Sequence, residues 1–152
     1  MTIEKQFVQD LFNLQLSDGR IIGSGVDILE PERVGKDVED NPLFAEEFCS
    51  PEEISFCDLV TDEERRKRYA RKFSLKEAVI KALGGSGDTG EELELDWREI
   101  ICAEDGINLP SINLIGRAKK RADEQGITSL SAFFSEIRNM PVVFCIAQGR
   151  SY

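Results

Sequence analysis

The chain has 152 residues, of which 41% are hydrophobic and 32% charged, and this is the size and composition of one folded domain. Its 29 acids and 19 bases give a net charge of −10, which disfavours nucleic acid as a partner. It contains no histidine, which excludes Ser-His-Asp and Cys-His catalysis and histidine zinc sites. An enzyme of this composition must work with carboxylates, lysines, thiols or a hard metal ion.

The four cysteines, Cys49, Cys57, Cys102 and Cys145, form no C-x-x-C pair. A disulfide framework is therefore not expected, and the sequence predicts a protein of the reducing cytoplasm. No apolar run approaches the roughly 20 residues needed to span a bilayer. The N-terminus lacks the basic-then-apolar order of a signal peptide, so we expect no membrane partner.

Hydrophobic periodicity and turn residues predict helices and strands in mixed order. Five helices are predicted. The first covers Thr2–Leu16, the second begins at Pro31 and ends at Asn41-Pro42, and the third begins after a cap at Ser50. The fourth runs from a capping box at Thr61 to Leu83, and the fifth covers Gly116–Gln125. The predicted strands cover Arg20–Leu29, Glu92–Ile101, Ser129–Phe134 and Val142–Ala147, with a turn over Gly106–Pro110 and a connection over Arg138–Pro141. This mixture with hairpin-like ends predicts an α+β fold.

The first strand brings an acidic residue to a face without bulky side chains. Because successive side chains of a strand point to opposite faces, Asp27 shares its face with Gly23 and Gly25. Another backbone or a ligand can approach closely along such a face.

The long helix carries a second carboxylate in an unusual position. Glu77 lies on an apolar stripe with Phe73 and Ile80, where an unpaired carboxylate is costly to bury. Lys81, four residues later, is one candidate partner in a plain ion pair. A metal ion is the other, because Asp27 and Glu77 come from separate elements and carboxylates suit a hard cation such as Mg²⁺.

Charge is also unevenly distributed. The segment 27–64 has fourteen acids and two bases, whereas 65–81 has eight bases and the single acid Glu77. A basic segment in an acidic chain is a candidate anion site, and its alternative is a solvated helix face.

Two motifs resemble the holo-acyl-carrier-protein synthases, the small single-domain 4'-phosphopantetheinyl transferases. GSGVDILEPERV, residues 23–34, is similar to the family pattern G-x-G-x-D-[IL]-x-E-x-x-R. RKFSLKEAVIKALG, residues 71–84, is similar to R-F-x-x-K-E-A-x-x-K-A-x-G. The resemblance covers roughly residues 21–148, which implies a transferase-like domain over 21–152 and an N-terminal extension over 1–20.

The resemblance implies transfer of 4'-phosphopantetheine from coenzyme A to a serine of an acyl carrier protein, in the cytoplasm and in fatty acid biosynthesis. It implies Mg²⁺ bound by Asp27 and Glu77, and a homotrimer with active sites between subunits. It also implies catalytic roles for Asp27, Glu77 and Lys81. The residues it implies for contacts to coenzyme A are Lys72, Lys76, Lys81, Gly84, Gly85 and Ser131.

Three departures from the family pattern are visible. The histidines usual near its V-S-[IL]-S-H element are absent, where Ser129 and Phe134 stand instead, and Phe133 replaces a small hydroxyl residue. Lys72 stands where arginine is usual. The segment 30–53, expected to be basic for an acidic carrier, has nine acids and two bases. The alternative hypothesis is a diverged member that keeps the fold, and with it coenzyme A or Mg²⁺ binding, and acts as a binding or assembly subunit.

Overall fold

The structure is a computed structural model, and it describes residues 19–84, 95–104 and 110–150. The predicted helix over Thr2–Leu16 and the predicted turn over Gly106–Pro110, apart from its last residue, lie outside these residues. The described chain contains both helices and antiparallel strands, which confirms the predicted α+β fold. None of the described helices is long and apolar enough to cross a membrane.

The described residues form five helices, one 3₁₀ turn and five strands. In chain order they are β1 (Arg20–Ile28), α1 (Pro31–Asp40), α2 (Leu43–Phe48), α3 (Pro51–Cys57), α4 (Asp62–Ala82), a 3₁₀ turn (Trp97–Glu99), β2 (Ile100–Ala103), β3 (Ser111–Leu114), α5 (Gly116–Glu124), β4 (Ile127–Ile137) and β5 (Met140–Gly149).

The larger sheet has three antiparallel strands in the order β1-β5-β4, and β2 and β3 form a separate antiparallel pair. Strands β4 and β5 are joined by Arg138 and Asn139, whose φ angles of 50° and 65° are those of a two-residue hairpin turn. This hairpin confirms the predicted connection, although both strands are longer than predicted. In register, Asp27 of β1 lies opposite Val143 of β5, and Phe134 of β4 lies on the other side of Val143.

Helix α4 packs against the glycine face of β1. A Cβ atom on Gly23 would meet the carbonyl oxygen of Ala82, and one on Gly25 would meet the carbonyl oxygen of Ala78 and the side chain of Lys81. The glycines thus let the helix backbone approach the strand closely, as the alternation of the sequence predicts. This approach sets the position of α4 relative to Asp27.

Replacing Gly25 by Ala should lower the free energy of unfolding, because the added methyl group can fit only if α4 moves away from β1. The expected loss is about 1–3 kcal/mol, the usual range for overpacking. Urea unfolding measures it, and Ser24→Ala, on the exposed face of the same strand, is the matched control. Equal stability of the two variants would contradict the tight packing.

Two apolar clusters flank α4. One joins the inner face of the sheet to Leu75, Val79 and Leu83, and the other joins α1, α2 and α3 to Tyr69 and Ala70. Helix α4 is therefore buried on most sides along its middle, which explains why its charged residues include fully buried ones.

One predicted strand start and one predicted capping box are wrong, whereas the long helix lies between Thr61 and Leu83 as predicted. The alternating pattern of Glu92–Ile101 predicts a strand, but within its described part Trp97–Glu99 is a 3₁₀ turn capped by the Asp96 side chain, and the strand begins at Ile100. A capping box forms at Ser50 but not at Thr61, whose side chain makes no capping bond. Asp62 enters α4 with a φ of 54°, so the first turn lacks the regular geometry that such a cap requires. Two short elements, α2 and β3, are absent from the sequence prediction.

Candidate active site

The structure brings Asp27 and Glu77 together. Asp27 lies near the end of β1, on the face covered by α4, and Glu77 lies on α4 one residue before Ala78, the contact of Gly25. The two carboxyl groups lie close enough for the charge of Asp27 to act on Glu77. The close glycine packing between strand and helix is what places two acids from distant parts of the sequence in contact.

Burial and the neighbouring acid both act on Glu77. Desolvation is the largest cause that raises its pKa, followed by the hydrogen bond and the charge of Asp27, and together they raise the pKa of Glu77 to about 7. Lys81 and Arg33 lower it by a smaller amount. A bound cation beside the two carboxyl groups would favour the ionised form of Glu77, because an opposite charge lowers the pKa of a carboxyl group.

Lys81 completes this group. Its ammonium donates to the carbonyl oxygen of Val26 at 2.9 Å and to Oδ1 of Asp27 at 3.4 Å. The ion pair of Lys81 is therefore with Asp27, and the predicted plain ion pair between Glu77 and Lys81 is wrong. The Lys81 side chain is 30% exposed, so an anion can reach it from solvent.

Lys76 points away from this group and into the protein. Its ammonium donates to Oε1 of Glu53 at 2.7 Å and to the carbonyl oxygens of Phe48 at 2.6 Å and Trp97 at 3.2 Å. Glu53, 4% exposed, also accepts from the backbone amides of Ser50 and Cys102. This network ties α4 to α3, to the end of α2 and to β2.

Lys72 is buried in the same direction. Its ammonium donates to the carbonyl oxygen of Cys102 at 2.6 Å, lies 3.9 Å from Oε1 of Glu104 and faces the ring of Phe56. All these contacts of Lys72 and Lys76 are with protein groups. Phosphate binding by either lysine stays a prediction from the resemblance.

The remaining predicted contact residues lie apart from Asp27. Gly84 follows α4 with a φ of 92°, beside the side chains of Arg121 and Gln125, and Gly85 lies outside the described residues. Ser131 lies on β4, two strands away from β1, on the sheet face opposite α4. The structure thus joins Asp27, Glu77 and Lys81 into one group and leaves Ser131 outside it.

A small aromatic pocket adjoins Glu77. Its volume is about 290 Å³, and its walls come from α2, α4 and the 3₁₀ turn: Phe44, Glu47, Phe48, Phe73, Glu77 and Trp97. The sequence prediction misses this pocket, because α2 was not predicted and Trp97 was placed in a strand. It misses the buried Glu53 as well, although the capping box at Ser50 is a signal for its position.

The cysteines offer no nucleophile. All four are free and buried, and burial raises the pKa of Cys57, Cys102 and Cys145 to about 12 and that of Cys49 still further. At neutral pH they are thiols, and thiols are poor nucleophiles. Any chemistry of this site therefore rests on its carboxylates and on Lys81.

Comparison with known proteins agrees with this geometry. The family model of the 4'-phosphopantetheinyl transferase superfamily matches residues 23–139, which include α4, most of β1 and the three site residues. The chain belongs to this superfamily. A holo-[acyl-carrier-protein] synthase of Clostridium novyi (strain NT) is 32% identical over 128 residues, which cover 84% of this chain and 88% of that relative. The chain is thus an enzyme of the holo-acyl-carrier-protein synthase type, a transferase.

Solved structures support the same assignment. The holo-ACP-synthase from Plasmodium yoelii aligns with a TM-score of 0.69 and 29% identity, over 89% of this chain and 100% of that one. The Helicobacter pylori holo-[acyl-carrier-protein] synthase, solved in complex with coenzyme A, aligns with a TM-score of 0.62 and 31% identity, over 82% of this chain and 99% of that one. The α+β fold is therefore that of the holo-acyl-carrier-protein synthases.

Proposed function

We propose that this chain transfers the 4'-phosphopantetheine group of coenzyme A to a serine hydroxyl of an acyl carrier protein, releasing 3',5'-ADP. The observation that carries the proposal is the contact between Asp27 and Glu77 beside the ammonium of Lys81. Two carboxyl groups and one partly exposed ammonium are the groups that a cation and a diphosphate need side by side. The coenzyme A complex of the Helicobacter pylori relative supports coenzyme A as the donor.

Mg²⁺ fits the carboxylate pair. Asp27 and Glu77 bring two carboxyl groups from separate elements together, and a divalent cation between them would neutralise the charge of both. Among the described residues no group of three or more acidic or thiol side chains surrounds this point, so the remaining ligands would be water and diphosphate oxygens. When bound, Mg²⁺ supplies charge neutralisation for the diphosphate and orients it for attack.

The protein's own residues supply the rest of the chemistry. Lys81, held by the carbonyl oxygen of Val26, directs its ammonium toward the place where the diphosphate carries negative charge. Glu77, when ionised, accepts the proton of the attacking serine hydroxyl. Asp27 holds Lys81 and keeps the second carboxylate in place. The phosphorus–oxygen bond to 3',5'-ADP breaks as the bond to the serine oxygen forms.

We also propose that the protein works as a cytoplasmic homotrimer, as the resemblance implies, in fatty acid biosynthesis. On the sheet face opposite α4, Val26 is 41% and Ile28 46% exposed, which is unusual for large apolar side chains in strands. An apolar sheet face supports contact with other copies of the chain.

The transfer is tested by incubating the protein with coenzyme A, Mg²⁺ and a panel of apo carrier proteins of differing surface charge. The expected result is that one carrier gains the mass of one phosphopantetheine group, and that Asp27→Asn abolishes the gain. Omission of Mg²⁺ with a chelator should abolish it as well. If no carrier is modified although the protein binds coenzyme A, the alternative of a diverged binding or assembly subunit is favoured.

A further inference from the structure

The pocket beside Glu77 combines aromatic walls with acidic groups. Its four rings are continuous: Phe44 lies 5.2 Å from Phe48, Phe48 lies 5.3 Å from Phe73, and Phe73 lies 5.1 Å from Trp97, measured between ring centroids. The planes of these pairs are inclined by 38° to 88°, so the rings present both faces and edges. Two carboxylates, Glu47 and Glu77, complete the lining.

In its described part, the lining of this pocket has two acidic side chains and no basic one. Glu47 is exposed and forms no ion pair with any residue that the structure describes. Arg33, whose charge reaches Glu77, is paired with Glu30 at 2.8 Å, and Arg98 is paired with Asp96 at 2.8 Å. A cation from another molecule therefore meets an attractive field here.

The chain itself shows that these rings attract a cation. The guanidinium carbon of Arg33 lies 5.6 Å from the centroid of Phe73, although Arg33 is outside the pocket lining. A cation in the pocket would be attracted both by a carboxylate and by the ring faces, because the face of an aromatic ring carries partial negative charge.

We propose that this pocket binds an arginine or lysine side chain of the protein that presents the acceptor serine. The inference rests on the proposed transfer, and it adds the chemistry of the partner: a basic side chain near the serine rather than an acidic one. The pocket borders Glu77, so a side chain bound there holds the acceptor protein against the reacting group. The exposed acids Glu46 and Glu47 of α2 favour the approach of the same basic surface.

A neutral occupant fits the pocket less well. A neutral amide chain, such as the pantetheine arm, would gain contact with the rings but would leave the ionised Glu47 without a partner. A guanidinium satisfies both the rings and the carboxylate, and arginine does so with its apolar methylene groups against the aromatic walls.

The only tryptophan of the chain, Trp97, lies in the pocket wall, so its fluorescence reports binding there. The full protein is titrated with N-acetyl-arginine amide and with the neutral isostere N-acetyl-citrulline amide, each with and without pantetheine. We expect a saturable change with the arginine compound, at least a fivefold weaker one with the citrulline compound, and no competition by pantetheine. Equal responses to the two compounds, or displacement of arginine by pantetheine, would overturn the inference.

Two substitutions place the binding in the pocket. Glu47→Gln should weaken binding of the arginine compound about three- to tenfold, in line with the strength of exposed charge and cation–π contacts. Glu124→Gln removes one exposed carboxylate of α5, outside the pocket lining, and should leave binding unchanged. If both variants bind as the wild type does, the acidic pocket is not the binding site.

Transfer kinetics separate this inference from the proposed function. Matched apo carrier proteins are compared that differ only by an arginine or a glutamine beside the serine. Glu47→Gln should lower kcat/KM for the arginine carrier and leave that for the glutamine carrier unchanged. If the wild type modifies both carriers equally well, the result supports the proposed transfer and contradicts binding of a basic side chain in the pocket. If the protein binds the arginine compound but modifies neither carrier, the result supports the pocket and contradicts the proposed transfer.

Discussion

Replacing Glu77 by Gln is expected to reduce kcat/KM for phosphopantetheine transfer by about 10²- to 10⁴-fold, with little change in the fold. The amide keeps the size of the side chain and its hydrogen bond to Asp27, but it neither accepts the serine proton nor neutralises a cation. Steady-state kinetics with coenzyme A and an apo carrier protein measure the loss. Activity within threefold of the wild type would contradict the role of Glu77.

The same substitution has a second readout that needs no substrate. The pKa of Glu77 is about 7 in the folded protein and near 4.5 in the unfolded chain, so the folded state binds more protons between these pH values. The stability contributed by protonation is fully present below pH 4.5 and is lost as the pH rises through 7. In the absence of metal, the free energy of unfolding of the wild type should therefore fall across this window relative to that of Glu77→Gln.

The expected difference is about 1–2 kcal/mol, after allowance for the half-exposed position of Glu77. Parallel pH profiles of the two proteins would contradict the raised pKa of Glu77.

Replacing Lys76 by Met is expected to cost more stability than any other single change discussed above. Lys76 is fully buried, and its removal leaves the buried carboxylate of Glu53 without its cation. Breaking such a pair lowers the free energy of unfolding by about 3–5 kcal/mol. The carbonyl oxygens of Phe48 and Trp97 lose their donor at the same time. Urea unfolding at neutral pH measures the effect.

Lys67→Met is the matched control for this prediction. Lys67 lies on the exposed part of the same helix and pairs with Glu63 and Glu64 at 3.5 Å, so its loss should cost about 0.5 kcal/mol or less. If Lys76→Met is as stable as this control but binds coenzyme A more weakly, Lys76 contacts phosphate and the buried network is not its main role.

The core of the site was predictable from two local patterns. The alternation around Gly23 and Gly25 placed Asp27 on an open face of a strand, and the apolar stripe of the long helix placed Glu77 where a lone carboxylate needs a partner. Both patterns depend only on backbone periodicity, which survives folding because strand and helix form as regular elements. The structure confirms that the two carboxyl groups meet.

The partners of the lysines were not predictable in the same way. Lys81 lies four residues from Glu77, yet it pairs with Asp27, 54 residues away in the sequence. Lys76 finds its partner in Glu53, on a different helix. Helical spacing predicts which side chains are neighbours on one helix. The partner that a lysine takes depends, however, on which other elements pack against that helix. The aromatic pocket depends on three elements at once, one of which is a short helix without a strong sequence signal.

The central claim is that Asp27 and Glu77 form the reaction centre of a phosphopantetheine transfer. The most direct test is the intact mass of an apo carrier protein after incubation with coenzyme A, Mg²⁺ and the wild type, Glu77→Gln or Glu124→Gln, with all three proteins shown to be folded. We expect the carrier to gain the mass of one phosphopantetheine group with the wild type and with Glu124→Gln, and to remain unmodified with Glu77→Gln over the same time. Equal modification by Glu77→Gln and the wild type would contradict the claim.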